Sequence, residues 1–266
     1  MNQTENNMEH THKNLLDWLE IQMFGGAAPA DVIEQAPGLT LLDAYRLRDA
    51  LMHRRVAKGD RHIGYKVGGA SRTMQAQEHV EGPMIGCLMA SGLYAEDRPI
   101  RIGEYAKVSM EAEVGVLLKS GLAGPGVDAA QALLAVECIF PAIEVVAHRS
   151  TASRSHQMRI IGSKFTGGIV IGTPPRSPHG IDLRLEGMVL TLNEEVQGSA
   201  TGVEVLGNPL NALALVANTI AEYGARLEAG MLIMTGSFLG NLRVKHGDRV
   251  RASYTRLGSV SARFVP

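Results

Sequence analysis

The side chains most able to do chemistry lie in two apolar stretches. From Val108 to Leu118 the even-numbered positions are Val108, Met110, Ala112, Val114, Val116 and Leu118, all apolar. The odd positions carry Ser109, Glu111, Glu113, Gly115 and Leu117. Period two is the signature of a β-strand, whose successive side chains point to opposite faces. One face then packs a core, and the other presents two carboxylates roughly 7 Å apart. Like charges that close repel unless something cationic sits between them. A hard divalent ion such as Mg2+ or Mn2+ is a natural answer, because it prefers carboxylate and water oxygens. Spacing alone belongs more often to a half-solvated strand face. A third carboxylate changes that balance: in the run Ile139–Val146, Glu144 is the only charge. An ionised Glu in such a run calls for a metal or for a partner such as Arg149, unless it sits at an exposed edge. Three acidic ligands, with water filling the other positions, would make an open Mg2+ or Mn2+ centre.

Two further groups are candidates. Lys66 lies in the short run His62–Val67, which leads into Gly68-Gly69. A partly buried lysine near a metal would have a lowered pKa and could shuttle protons, whereas most strand lysines simply face solvent. Thr235-Gly236-Ser237 follows the apolar run Met231–Met234. It offers hydroxyls and main-chain N–H groups to a substrate carboxylate, or else is an ordinary strand-ending turn. The nine histidines show no H-E-x-x-H spacing, and neither G-x-S-x-G nor a phosphate-binding lysine loop is present.

Composition narrows the field further. The chain has 266 residues, 45% of them hydrophobic and 20% charged, enough for one large core. A net charge of −1 gives no basic field for nucleic acid or an anionic membrane. Two cysteines, Cys87 and Cys138, are too few for a disulfide framework. The polar start MNQTENNMEHTHK lacks a secretory h-region, and no apolar run is long enough to span a bilayer. The expectation is a soluble cytoplasmic protein with no membrane segment.

The elements that would position these residues form an α+β domain. Residues 1–11 read as a disordered tail, and 12–60 as a helical lead-in. Its first helix runs from Lys13 to Phe24. Its second follows Pro37-Gly38 and runs up to Gly59, with Thr40 and Asp43 as an acidic capping box and Leu41, Tyr45, Leu51, Met52 and Val56 as an interrupted apolar stripe. Residues 61–266 read as a β-rich domain, with strands at His62–Val67, Val108–Leu118, Ile139–Val146, Ile169–Ile171, Leu185–Asn193, Met231–Ser237, Val250–Tyr254 and Ser259–Phe264. Helices interrupt it at Asp128–Val136 and after Asn208-Pro209. Strands and helices do not alternate, which argues against a doubly wound sheet.

Six segments in register resemble the hydratase/decarboxylase branch of the fumarylacetoacetate hydrolase superfamily. They are Gly64-Tyr65-Lys66-Val67-Gly68, Glu111-Ala112-Glu113, Pro141–Val146, Val205–Leu210, Ala229–Gly236 and Leu257–Phe264. The resemblance implies a mixed β-roll with surrounding helices, a Mg2+ or Mn2+ site and a homo-oligomer. By motif position Glu111, Glu113 and Glu144 look like the metal ligands, and Lys66 like the active-site lysine. The substrates implied are 2-hydroxy-dienoates or their 2-oxo tautomers, whose 1-carboxylate and 2-oxygen the ion would chelate, stabilising an enolate. A hydratase then adds water to the conjugated double bond, whereas a decarboxylase loses a distal carboxylate. The branch motifs do not separate these two.

The chain departs from the branch in two places. Ala147-His148-Arg149 replaces an Asp-Ser-Arg-like segment, and Gly162–Gly167 replaces an Asp-Asn-Ala-Ser-like one, so His148 and Lys164 are gained near the site. Both are candidate substrate-binding groups beside Thr235 and Ser237. The expectation is a metal-dependent lyase, first a 2-oxopent-4-enoate-type hydratase and next a 4-oxalocrotonate-type decarboxylase. Behind these stand a C–C hydrolase or tautomerase on the same scaffold, and a divergent, non-catalytic partner of a pathway enzyme.

Overall fold

The computed structural model describes residues 14–21, 31–78, 80, 82–96, 98–103, 105–148, 155–162 and 167–266. The expected tail, Arg149 and Lys164 lie outside these residues. Residues 14–21 form helix α1, with Leu15 and Leu19 buried; the expected ends at Lys13 and Phe24 fall outside the described part. Helix α2 is Val32–Gln35 and α3 is Leu41–Ala57. The capping box of α3 forms as expected, with Thr40 Oγ1 accepting from Asp43 N and Asp43 Oδ2 accepting from Thr40 N.

The stripe on α3 differs from the expected one. Leu41 and Val56, in its first and last turns, are 45% and 41% exposed. The buried face is Ala44, Leu47, Arg48, Leu51 and Met52, the i, i+3, i+4, i+7, i+8 set of a helix lying on a core. A charged residue at its centre is what interrupts the apolar pattern. Arg48 is fully buried. It donates to the Ile85 carbonyl at 2.7 Å, to Asp49 and to the Tyr223 hydroxyl at 2.6 Å, and lies over the Tyr45, Tyr65 and Tyr223 rings.

Thirteen strands follow among the described residues: β1 His62–Gly68, β2 Met84–Met89, β3 Leu93–Tyr94, β4 Ile100–Arg101, β5 Lys107–Leu118, β6 Val136–His148, β7 Gly167–Ile171, β8 Gly187–Leu192, β9 Glu195–Thr201, β10 Leu232–Ser237, β11 Leu242–Arg243, β12 Arg249–Tyr254 and β13 Gly258–Val265. Between them lie α4 Arg72–Glu78, α5 Ala129–Ala135, α6 His156–Gly162 and α7 Pro209–Ala221. Asn208 caps α7 as its pattern predicts, its Oδ1 accepting from Leu210 N. Strand β2 escaped the sequence reading because all six of its residues are buried, so it shows no alternation.

The larger sheet runs β2-β1-β10-β5-β6-β7-β3, with β11 also on β5; the smaller runs β4-β13-β12-β8-β9. Both are mixed: β1 and β10, β3 and β7, and β4 and β13 pair in parallel, the rest antiparallel. Strands β2 and β3 stand at opposite ends of the larger sheet, yet only the 3-10 turn Ala90–Gly92 joins them. The sheet must therefore curl until its ends approach, which makes it a β-roll. Leu88 and Met89 accordingly line one cavity with Gly167, Gly168 and Ile169.

One apolar core extends from Leu15 in α1 to Phe264 in β13 and takes in Tyr65, Val67, Ile233 and the even positions of β5. The other face of the larger sheet holds a smaller apolar cluster of Leu88, Phe140, Ala142, Ile169 and Met234. No described helix is long and apolar enough to cross a membrane.

Candidate metal centre

Strands β5 and β6 are antiparallel neighbours, with Glu111 opposite Glu144 and Glu113 opposite Ala142. Opposed residues in such a pair have Cβ atoms about 5 Å apart. Register thus gathers carboxylates that lie more than thirty residues apart in the sequence. One carboxylate oxygen from each of Glu111, Glu113 and Glu144 lies within 4.8 Å of the others. Their face is not solvated: Glu111 is 5% exposed, and Glu113 and Glu144 are 0%. Even positions of β5 pack the main core, so this strand is covered on both sides.

Lys66 reaches the same place from β1, its Nζ 3.8 Å from Glu144 Oε1. Among the described residues, three carboxylates and one ammonium leave two negative charges, which one divalent cation cancels. Buried ionised groups demand such compensation, and an all-oxygen donor set suits Mg2+. The residues present therefore fit the ion.

The Thr235-Gly236-Ser237 turn serves this cluster through its main chain. Strand β10 shifts register against β5 between Met234 and Ser237. Gly236 there has φ +111°, and a Cβ would stand 2.3 Å from Ala70 Cβ. The displaced Gly236 N–H donates to Glu113 Oε2 at 2.8 Å. Both hydroxyls expected to face a substrate are engaged by the main chain: Thr235 donates to the Val114 carbonyl, and Ser237 donates to Gly240 O and accepts from Gly240 N. The sequence reading missed Tyr254 on β12, whose hydroxyl donates to the Glu113 main-chain carbonyl at 2.7 Å. Burial, then the charges of Glu113 and Glu186, push its phenol well above the ordinary 10, so it stays a neutral donor. His148 ends β6 opposite Lys107.

The chain belongs to the fumarylacetoacetate hydrolase family. Residues 54–265 match the family model described as Fumarylacetoacetate (FAA) hydrolase C-terminal. Among its relatives, a 4-oxalocrotonate decarboxylase from Pseudomonas putida is 32% identical over 235 residues, 88% of this chain and 89% of that one. A 2-keto-4-pentenoate hydratase from Paraburkholderia xenovorans (strain LB400) is 30% identical over 243 residues, 91% and 90% of the two chains. Among solved structures, 4-oxalocrotonate decarboxylase from Pseudomonas putida G7, complexed with magnesium and adipate, superposes with a TM-score of 0.88 at 29% identity, covering 97% of this chain and 98% of that one. The expected α+β roll and the resemblance on which it rested are both borne out.

Proposed function

We propose that this protein is a divalent-metal-dependent lyase acting on a 2-oxo or 2-hydroxy-dienoic acid, as a 2-oxopent-4-enoate-type hydratase. The observation that carries this reading is the closure of three buried carboxylates on one point beside Lys66. Glu111, Glu113 and Glu144 would hold Mg2+, which supplies positive charge beside the substrate's 1-carboxylate and 2-oxygen. Gly236 N–H and the Tyr254 hydroxyl fix Glu113 from its side chain and its main chain. Lys66 Nζ carries the proton exchanged with the substrate's carbon chain as the 2-hydroxyl form becomes the 2-oxo form. The neighbouring side chains Met234, Ala142 and Ile169 are apolar, which suits a short hydrocarbon tail and excludes bulk water. His148 and Lys164 are proposed as substrate-binding groups. The protein works in the cytoplasm as a homo-oligomer.

The second reading, a decarboxylase of a 2-oxo-enedioate, is favoured by the 32% identity and 0.88 TM-score of its relatives. It differs in needing a cationic seat for a distal carboxylate. Incubation with Mg2+ and either 2-hydroxypenta-2,4-dienoate or 2-oxohex-3-enedioate, followed by ultraviolet absorbance and mass spectrometry, separates the two. Addition of water to the first compound supports the hydratase, and CO2 release from the second the decarboxylase. Cleavage of an acylpyruvate, or enol–keto exchange alone, would move the assignment to a hydrolase or tautomerase. Inertness toward all of them would leave a non-catalytic pathway partner.

A further inference from the structure

Lys66 and Glu144 are neither on adjacent strands nor level with each other. Across the sheet Lys66 pairs with Met234, Met234 with Gly115, and Gly115 with Phe140. The residue of β6 level with Lys66 is therefore Phe140, four residues and about 13 Å of strand short of Glu144. Strands β1 and β6 run in the same direction, since β1 is parallel to β10 and two antiparallel steps follow. To approach Glu144 the lysine side chain must lean forward along β1. Side chains two apart on a strand share a face, so it passes over position 68.

Position 68 is glycine, and a Cβ built there would stand 2.9 Å from Lys66 Nζ and 3.9 Å from its Cε. The next atom in reach, Met84 O, is at an ordinary 3.9 Å. Gly68 is not among the residues with positive φ, so its backbone accepts an L-residue without strain. Its neighbours are glycine for other reasons: a Cβ at Gly64 would lie 1.8 Å from Leu232 O, and Gly69 has φ +66°. Among the described residues, the one atom that a side chain at position 68 would crowd is the ammonium of Lys66.

We propose that Gly68 is a positioning residue, which keeps open the path along which Lys66 Nζ reaches the carboxylate cluster. Its catalytic consequence rests on the lyase reading above; the placement of the ammonium does not. The test is Gly68→Ala, alone and combined with Lys66→Met, with crystal structures and calorimetric Mg2+ titration of each. Gly68→Ala should fold, bind Mg2+ as the parent does, and show Nζ displaced from Glu144. Its kcat should fall about tenfold or more, the scale of a misplaced proton-transfer group, with KM little changed. In the Lys66→Met background the same substitution should change neither kcat nor stability further, because the partner of the clash is gone. Should Gly68→Ala fail to fold while the double variant folds, the clash with Lys66 is likewise upheld. The proposal is overturned if Nζ keeps its place and kcat is unchanged, or if the substitution costs as much without Lys66 as with it. An inactive parent would sink the lyase reading, and the crystal structures would still judge Gly68.

Discussion

Glu113 is held through both its side chain and its main chain. One oxygen accepts from Gly236 N–H, its main-chain carbonyl accepts from Tyr254, and the residue is fully buried. Burying three carboxylates around one point opposes folding of the metal-free protein. Glu113→Gln should therefore raise the metal-free melting temperature while abolishing the rise that saturating Mg2+ gives the parent. That rise corresponds to about 2.7 kcal/mol when Mg2+ is a hundredfold above its dissociation constant. Differential scanning fluorimetry with and without Mg2+ checks both signs, and a metal-free protein destabilised by the change would contradict this account. The pair Glu111 and Glu113 was legible in the sequence because strand alternation puts both on one face. Their burial was not, because the covering atoms come from β6, β10 and β12. The main-chain N–H groups of the Thr235-Gly236-Ser237 turn were legible as donors to a carboxylate, but their acceptor was not, since only the fold brings Glu113 to Gly236.

At the scale of elements, α3 shows a helix right at its start and right in part of its face: Leu51, Met52 and the half-buried Tyr45 pack on the core, whereas Leu41 and Val56 do not. Thr40 and Asp43 marked its start because capping is local chemistry. The stripe read as interrupted because only the folded molecule brings Ile85, Tyr65 and Tyr223 around Arg48. The guanidinium ties α3 to β1, β2 and the residues just past α7. Arg48→Ala strips Asp49, Ile85 O and Tyr223 of a shared partner and should cost about 3–5 kcal/mol. Arg48→Met, which fills the space between the rings, should cost less. Urea unfolding of both variants reads the difference, and equal losses would show that volume is not what matters there. The β2 strand makes the complementary point: six buried residues in a row give no period to read.

For the whole molecule, a single apolar core joins α1 to the last strand. The helical lead-in and the roll share that core, so they should melt together. Calorimetry should give one transition with matching calorimetric and van't Hoff enthalpies, moved upward as a unit by Mg2+. A separate early transition, removed by deleting the lead-in, would mean that the helices are an independent appendage. The family, and with it the roll, was legible from six ordered motifs. The connection that closes it, the three-residue turn from β2 to β3, was not, because neither strand was recognised in the sequence.

The strand order also sets a timetable for synthesis. Strand β10 lies between β1 and β5, and its first residue in the pairing, Leu232, meets Gly64 across most of the chain. A growing polypeptide can pair β5 with β6 as soon as residue 148 has left the ribosome. Lys66 has no bridge to those carboxylates until residues 232–237 emerge, and long-range pairings of this kind form late. The acidic half of the centre can therefore form first, and its lysine joins only after β10 has been made.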